Sequence, residues 1–422
     1  MRKRAPTVSV LISLSLIIAC AIFAGVRYLR GDFGVAESNS PETEPVISEQ
    51  PSETPTEPEI DEPPDEVQIV PVPKTPAVRV RGVYVDAWTI GTEDGATRFI
   101  EICDSSEINA IVVDVKDDYG RLSFHSDNAV FSEVGSNKIP DIEQTVSRLK
   151  ENDIYTIARL VCFKDPLWCD LNPGLAIHDR NGATWKDANG VAWLDPYNPG
   201  AWEYIASVAK EAARMGFNEI QLDYVRFPAE GNLGAMYFGN AGEEKNREEI
   251  IGDFLAYVRT ELTGTPAWLA ADAFGIIAVS KGDFENIGQD LDIILQNVDY
   301  VCPMIYPSHF ANKSQNSVGQ IINDILFEIP DLQPYEVVLN ILIMVNDRLP
   351  GYGNHAIIRP YIQAFTADWL AADYYQTYTA QQVLEQIQAA YDADFDEWIL
   401  WNHTGSYSIY ENVGNLIPRN TT

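Results

Sequence analysis

Short apolar runs alternate with amphipathic stretches along the chain from residue 80 onward. The apolar runs are rich in Val, Ile and aromatic residues, which is typical of buried β-strands. This pattern predicts eight strands, at 81–88, 110–117, 154–163, 219–227, 267–275, 300–307, 357–366 and 397–402.

The stretches between the strands have the periodicity of helices that bury one face. They predict helices over 95–106, 141–152, 199–216, 246–264 and 380–393. A further segment, 335–349, suits either a strand or a helix. We predict a helix there, because a helix keeps the strand–helix alternation and brings Val338 and Ile341 onto one face.

Repeated strand–helix–strand order predicts a parallel sheet, because parallel neighbours need a crossover element between them. Strands that are apolar almost throughout are expected to be covered on both faces. A count of eight favours a closed (β/α)8 TIM barrel over an open doubly wound sheet. The predicted α/β domain spans residues 80–415 and lacks the nucleotide-binding motifs GxGxxG and GxxxxGK[ST].

Polar residues collect near the C-terminal ends of the predicted strands. In a (β/α)8 barrel these ends open onto one face, where catalytic groups are held on a rigid frame. We therefore expect one site at the barrel mouth. Its candidate residues are Asp86, Asp114, Lys116, Asp117, Arg159, Asp223, Arg226, Asp272, Tyr306, Trp401 and Asn402.

Asp223 and Asp272 stand on adjacent predicted strands. Neighbouring strands lie ~4.8 Å apart, so the two carboxyl groups would be separated by roughly the 5 to 9 Å that glycoside hydrolysis requires. We assign Asp223 as nucleophile and Asp272 as acid/base. Arg159 and Arg226 would lower the pKa of a nearby acid, and an apolar wall such as Phe274 would raise the pKa of the other. The alternative is that one or both acids form ion pairs that only stabilise the mouth.

Eight residues around this pair are assigned to substrate binding. For Asp117, as for Asp114, a role in ion pairs is the favoured alternative. Trp401 is the aromatic residue that we expect to line the site, because it ends a strand. The assigned residues are Asp86, Lys116, Asp117, Arg159, Lys164, Arg226, Tyr306 and Trp401.

A long segment after the third predicted strand is rich in tryptophan. It is too long for an ordinary connection, which suggests a functional role. Indole faces suit the apolar C–H faces of sugar rings. Local packing of a large loop is the alternative, and it is favoured for each residue taken alone. The tryptophans are Trp168, Trp185, Trp193 and Trp202.

The first eighty residues have a different character. The cationic sequence MRKR precedes an uncharged run over 8–26, near the minimum of ~17 to 20 residues for a membrane-spanning helix. Residues 1–30 therefore predict a single-pass membrane anchor with the following chain outside the cell. A cleaved signal peptide and a lipoprotein modified at Cys20 remain alternatives. Residues 31–79, rich in Pro, Glu, Ser and Thr, predict a disordered acidic linker.

The composition is that of a globular protein, with 46% hydrophobic and 22% charged residues. A formal net charge of −33 argues against nucleic acid as a partner, because a polyanion would be repelled. Most of this acidity belongs to the predicted barrel. Acidity on this scale is more often a solubility property than a recognition device, and the sequence leaves the oligomeric state open.

Cysteine and histidine residues give no metal-binding pattern. The chain has five cysteines and five histidines, without CxxC or HExxH spacing. Cys162 and Cys169 could form a disulfide across a loop, or both could be buried free thiols. We therefore expect neither a metal nor another cofactor.

Several motifs, taken together, resemble a bacterial glycoside hydrolase family that was long catalogued as a domain of unknown function. This resemblance implies a TIM barrel distantly related to α-amylase-type glycosidases, usually outside the cell behind an N-terminal anchor. It supports Asp223 as the leading catalytic carboxylate and Asp272 as the next. The family commonly has QDF where this chain has QAF, so Ala364 removes an acid from the seventh strand. The motifs are RGVYVDAW, NAIVVDVKDDYG, IARLVCFKDPL, AWLDPYNP, EIQLDYVRFP, ADAFG, IGQDL, VDYVCPMIYPSHF, RPYIQAFT and WILWN.

These observations predict an extracellular, membrane-tethered glycosidase that acts on an oligo- or polysaccharide through paired carboxylates. One alternative is a carbohydrate-binding or cell-wall scaffold protein that keeps the cleft without catalysis. A metal-dependent polysaccharide deacetylase is a third possibility, disfavoured by the lack of metal-ligand spacing.

Overall fold

The computed structural model describes residues 73–283, 286–351 and 355–403. The predicted membrane anchor at 1–30 lies outside these residues, as does the predicted linker up to residue 72. Across the described part of the chain, every helix is too short or too polar to span a bilayer.

The described residues contain thirteen strands, most of them short. They are β1 Arg81–Val85, β2 Ala110–Lys116, β3 Tyr155–Val161, β4 His178–Asp179, β5 Glu219–Asp223, β6 Met236–Tyr237, β7 Trp268–Phe274, β8 Tyr300–Ile305, β9 Gln320–Ile322, β10 Ile325–Phe327, β11 Ile357–Ile358, β12 Tyr361–Gln363 and β13 Trp398–Trp401.

The same residues contain ten α-helices, which alternate with the longer strands. They are α1 Ala87–Ile90, α2 Glu93–Ser105, α3 Ile142–Glu151, α4 Pro166–Leu171, α5 Pro199–Arg214, α6 Ala241–Glu244, α7 Arg247–Glu261, α8 Leu291–Asn297, α9 Pro334–Arg348 and α10 Ala380–Asp392. The ambiguous segment at 335–349 is thus a helix, as predicted.

Nine of the strands form one parallel sheet that closes on itself. Its order is β11, β8, β12, β13, β1, β2, β3, β5 and β7, and the pairing of β7 with β8 completes the ring. The short strands β11 and β12 both pair with β8 and together take the place of one barrel strand. The sheet therefore has eight strand positions, and the predicted (β/α)8 barrel is confirmed. Two small antiparallel pairs, β4 with β6 and β9 with β10, lie in the loops.

Several strands end earlier than the sequence predicts, because polar or strained residues start the loops. The strand predicted at 81–88 ends at Val85, since Asp86 caps helix α1. The strand predicted at 219–227 ends at Asp223, since Tyr224 adopts a left-handed φ of 52°. The residues beyond these ends therefore belong to the rim of the mouth.

Side-chain capping fixes where the outer helices begin. Asn246 and Glu249 form a capping box at the start of α7, and Thr379 and Gln382 form another at the start of α10. Each box satisfies backbone N–H groups that the first helical turn leaves without partners.

The core has two layers, because successive side chains of a strand point to opposite faces. One layer fills the barrel interior and includes Tyr84, Val112 and Ile157. The other lies between the barrel and the helices and includes Val113 and Leu222. The four described cysteines are buried and free, so Cys162 and Cys169 are thiols, which was one of the two alternatives.

A buried ion network fills the interior at the N-terminal end of the strands. The guanidinium of Arg359 donates to both carboxylate oxygens of Glu219, at 2.8 and 2.9 Å, and to Glu397 at 2.8 Å. Tyr155 donates to Glu219 at 3.1 Å. Arg359 and Glu219 are fully buried, so this network closes the floor of the barrel and leaves the opposite end for a site.

Replacing the cation of this floor is expected to destabilise the barrel strongly. Arg359→Leu would leave Glu219 and Glu397 buried without their cation, and loss of one partner of a buried pair typically costs ~3–5 kcal/mol. Denaturant unfolding would measure this as a lower free energy of unfolding. The matched control is Lys313→Leu, because Lys313 pairs with Glu328 at an exposed site and should change stability by less than ~1 kcal/mol. Equal effects of the two variants would contradict a structural role for the network.

Candidate active site

Asp223 is the last residue of β5 and lies at the barrel mouth with 5% of its surface exposed. Its Oδ2 atom accepts two hydrogen bonds from Arg159, from Nε at 3.0 Å and from Nη2 at 2.5 Å. Its Oδ1 atom accepts the backbone N–H of Tyr224 at 2.6 Å. Three donors, two of them on a cation, match a carboxylate that carries its negative charge.

Arg159, on β3, joins this carboxylate to a second one on β2. Its Nη1 atom donates to Asp114 at 2.6 Å, and the other oxygen of Asp114 accepts the hydroxyl of Tyr84 at 2.6 Å. The guanidinium also lies 5.2 Å from the ring centroid of Trp401. This network of hydrogen bonds and ring contacts fixes the guanidinium that orients Asp223.

Asp272, on β7, has a contrasting environment. It is 2% exposed, and among the described residues its Oδ1 atom has no hydrogen-bond partner. Burial raises the pKa of this carboxyl well above its usual value, and the negative charge of Asp223 raises it further. An acid in such surroundings holds its proton and can donate it.

The backbone register brings these two acids together. Strands β5 and β7 are paired, with Leu222 opposite Ala271. Asp223 and Asp272 are the next residues of these two strands and therefore lie at the same level of the barrel. Below them, Gln221 receives the hydroxyl of Tyr361 at 2.7 Å and donates to the sulfur of Cys302 at 3.2 Å. The pair therefore stands on a polar layer inside the barrel.

Lys116, predicted to bind substrate, lies outside the mouth. A register irregularity between Asp114 and Lys116 places Lys116 opposite Leu160, whose side chain belongs to the layer between barrel and helices. Lys116 is fully buried there and pairs with Asp165 at 2.8 Å. The expected alternation along β2 fails at this bulge, so the assignment of Lys116 to substrate binding is corrected to a structural ion pair.

Asp86 and Asp117 shape the loops of the mouth. Asp86 caps helix α1 by accepting from Thr89. Asp117 accepts the backbone N–H groups of Tyr119 and Arg121, both at 2.9 Å, and pairs with a lysine side chain. For Asp117 the structure therefore shows the ion pair that was the favoured alternative.

Two further predicted cations lie around the ring of Tyr224. Lys164 Nζ is 4.9 Å from the ring centroid and forms an ion pair with Asp118 at 3.0 Å. The guanidinium of Arg226 is 5.1 Å from the same centroid and 4.5 Å from the ring of Phe274. The apolar wall that Phe274 was expected to place beside an acid thus faces a cation, and Arg159 supplies the ion pair to Asp223.

Aromatic residues line the other side of the mouth. Trp401 packs on Tyr84, with ring centroids 4.1 Å apart. Tyr306 contacts Phe365 at 5.6 Å between centroids and is 4% exposed. Asn402 donates to the carbonyl of Ala364 and is also buried. Trp401 is the more accessible of the two predicted aromatic residues, since Tyr306 is packed into the interior.

The tryptophans of the long segment pack mainly against neighbouring elements. Trp185 and Trp193 are buried, and Trp168 stacks on Tyr204 with centroids 3.9 Å apart. Trp202 packs against Phe254. Trp193 also lies 5.8 Å from Tyr224 between ring centroids and 5.0 Å from the guanidinium of Arg226. Packing therefore accounts for Trp168, Trp185 and Trp202, whereas Trp193 adjoins two residues of the mouth.

The candidate site at the barrel mouth is separate from two grooves on the outer surface. Two surface grooves of about 570 and 530 Å³ are lined by residues of 124–143 with 211–215, and of 90–96 with 140–151. Neither groove includes Asp223 or Asp272. In the described ranges, no three His, Cys, Asp or Glu side chains are grouped so as to hold a metal ion.

Some residues of the site were not predicted from the sequence. Tyr84, Gln221 and Tyr361 sit within strands and look there like ordinary strand residues. The inward alternation that places Asp114 and Asp223 in the mouth also places Tyr84 and Gln221 inside, so strict period-two counting would have found them.

Comparison with known proteins bears on the fold and the family of this chain. Residues 82–407 match a family described as "Putative glycosyl hydrolase domain". No protein of curated function matches the chain. The glycoside hydrolase domain of PgaB from Bordetella bronchiseptica is 13% identical over 81% of this chain and 99% of its own, with a TM-score of 0.55, a likeness of fold.

A hypothetical protein from Ruminiclostridium thermocellum is 39% identical over 45% of this chain and 96% of its own, with a TM-score of 0.42. The family match covers both carboxylates and runs from Gly82, in β1, beyond the last strand of the barrel. This chain therefore belongs to that glycosyl hydrolase family.

Proposed function

We propose that the barrel cleaves a glycan by a double-displacement mechanism, with Asp223 as nucleophile and Asp272 as acid/base. The observation that carries this proposal is the contrast between two acids on paired strands. Asp223 forms an ion pair with Arg159 and accepts a hydrogen bond from a backbone N–H, whereas Asp272 is buried and has a raised pKa. Environments that separate the protonation states of two neighbouring carboxyls are what glycoside hydrolysis needs.

In the first step, a carboxylate oxygen of Asp223 bonds to the anomeric carbon while the glycosidic C–O bond breaks. The proton of Asp272 moves to the leaving oxygen, so the departing alcohol is neutral. In the second step, Asp272, now a carboxylate, takes a proton from water. The water oxygen bonds to the anomeric carbon, and Asp223 leaves as a carboxylate.

Arg159 serves this cycle as a positioning residue. It holds Oδ2 of Asp223 through two hydrogen bonds, and its second carboxylate partner, Asp114, anchors it from the other side. The charge of Asp223 disappears when the covalent bond forms and returns when it breaks. A cation held in place by Asp114 can stabilise the returning carboxylate without moving.

The position of the two acids on adjacent strands favours retention of anomeric configuration. A nucleophilic mechanism requires carboxyl groups only ~5–5.5 Å apart, whereas inversion needs a wider gap. The test is to incubate the full chain with a panel of cell-wall and storage glycans and to follow the first products by proton NMR. Release of sugar with the configuration of the cleaved bond is expected. First products of opposite configuration would overturn the nucleophilic role of Asp223. Binding without any release would favour the carbohydrate-binding scaffold alternative.

We also propose that the domain acts outside the cell while tethered to the membrane. The support is the cationic N-terminus, the uncharged run at 8–26 and the acidic Pro-rich sequence that follows. Protease added to intact cells should then remove the domain. A domain protected until the cells are broken would contradict this location.

A further inference from the structure

Two aromatic rings on the mouth face are exposed to water. Trp88 is 63% exposed and Tyr119 is 57% exposed. Trp88 lies in α1, directly after β1, and Tyr119 lies in the turn that follows β2. Both therefore belong to loops at the C-terminal ends of paired strands, on the same face as Asp223 and Asp272.

The backbone holds Trp88 pointing outward. Asp86 caps the single turn of α1 through the backbone N–H and the hydroxyl of Thr89. Ala87 and Ile90 are buried on the inner side of this turn. With its neighbours anchored in this way, the ring of Trp88 is presented to solvent by a turn that is already ordered.

A second ordered turn presents Tyr119. Asp117 accepts the backbone N–H of Tyr119 and of Arg121, and its own N–H donates to the carbonyl of Arg121 at 3.0 Å. Gly120 completes the turn with φ +84°, and a Cβ there would overlap the carboxylate of Asp165. Only glycine fits this position without strain.

The two turns both contact Lys138. At Gly91, the C-cap of α1, a Cβ would overlap the carbonyl oxygen of Lys138. The side chain of Lys138 in turn pairs with Asp117 at 2.5 Å. Lys138 therefore connects the loops that carry Trp88 and Tyr119, and we call these two exposed residues the aromatic rim (Trp88 and Tyr119).

A chain of contacts also links the turn of Tyr119 to Asp223. Asp118, next to Tyr119, pairs with Lys164, and Lys164 lies over the ring of Tyr224. The backbone N–H of Tyr224 donates to Asp223. The turn that carries Tyr119 is therefore connected, through Lys164 and Tyr224, to the proposed nucleophile.

We propose that the aromatic rim is a distal sugar-binding subsite, which stacks on a ring of an oligosaccharide beyond the bond that is cleaved. This inference rests on the proposed glycosidase function and specifies its substrate class as a glycan long enough to reach from Asp223 to the rim. Indole and phenol faces match the C–H faces of a pyranose. Because both turns are ordered beforehand, binding pays little conformational entropy.

The test compares chain length against affinity. Full-length Asp223→Asn protein is titrated with chitin, glucosamine, cellulose and starch oligosaccharides, from disaccharide to hexasaccharide, and binding is measured by calorimetry. In the Asp223→Asn protein, the affinity for the oligosaccharide series that binds most tightly should rise with the number of sugar units. Trp88→Ala or Tyr119→Ala should lower hexasaccharide affinity by roughly 3- to 10-fold each, with a smaller effect on the disaccharide.

The matched control is Ile357→Ala. Ile357 is also exposed, but it pairs with Tyr300 at the first residue of β8, on the opposite face of the barrel, so the length dependence should persist. Unchanged hexasaccharide affinity in both rim variants, or no affinity for any oligosaccharide series, would overturn the subsite. If the rim variants lost affinity while the parent protein, with Asp223 intact, hydrolysed none of these oligosaccharides, the subsite would stand and the glycosidase proposal would be overturned.

Discussion

Asp223→Asn is expected to lower kcat/KM for glycan hydrolysis by ~10⁴-fold or more, because an amide cannot form the covalent intermediate. The substitution keeps the shape of the side chain, and Arg159 keeps its ion pair with Asp114, so the barrel should stay folded. Initial rates on the glycan that the panel identifies, with circular dichroism as a check of folding, would measure the effect.

The matched control is Asp114→Asn, which removes the other carboxylate that Arg159 contacts. Asp114 is buried, is also in the mouth and differs from Asp223 in its proposed lack of a bond to substrate. We expect a loss of less than ~10²-fold there, since only the orientation of Arg159 suffers. If both variants lost activity equally, the nucleophile could not be assigned to Asp223.

Azide provides a second control on the same assignment. In Asp223→Gly, the vacated space should admit azide to the face from which the carboxylate would attack. The expected product is a glycosyl azide of inverted configuration, detected by mass spectrometry and NMR. Absence of this product from a folded variant that still binds the glycan would count against direct attack by Asp223.

The position of the two acids that we propose as catalytic could be predicted from the sequence because barrel geometry leaves little freedom. Once eight apolar runs alternate with helices, polar residues at the strand ends must face one mouth. Asp223 and Asp272 lie at the same level because their strands pair in register. Here local pattern and overall fold agree, so counting residues along each strand was sufficient.

Lys116 shows where such counting fails. Alternation along β2 would turn it into the mouth with Asp114, but one irregular step in the pairing turns it to the helix side. There it pairs with Asp165, which also caps α4. A bulge changes the facing of every residue beyond it, and no residue type in AIVVDVK marks this one.

Trp88 was missed for a related reason. The sequence pattern continued the first strand through 81–88, in which Trp88 would be one more strand residue. Asp86 instead starts a helical turn and Trp88 becomes exposed. The end of a strand depends on whether a side chain caps a following helix or the backbone continues to pair, and hydrophobic patterning alone does not distinguish the two.

The pH dependence of catalysis should follow Asp272. Its raised pKa keeps the acid protonated in the range where a free aspartic acid would have ionised, so kcat/KM should fall as the pH rises through that pKa. In Asp272→Asn this alkaline limb should disappear. A parent and variant with the same alkaline limb would show that another group donates the proton.

The same substitution separates catalysis from stability. Asp272→Asn should lower kcat/KM on the natural glycan by ~10²–10⁴-fold, through loss of proton donation. The loss should be far smaller for the matching dinitrophenyl glycoside, whose leaving group departs without a proton.

The protein should meanwhile gain stability at neutral pH. A carboxyl whose pKa is raised on folding costs ~1.4 kcal/mol for each pH unit between its unfolded and folded pKa values. The buried amide, neutral at every pH, removes that cost, so unfolding curves of parent and variant should coincide below about pH 3.9 and separate as the pH rises. A variant that is less stable than the parent at neutral pH would mean that Asp272 is ionised and paired in the fold, and its role as proton donor would have to be abandoned.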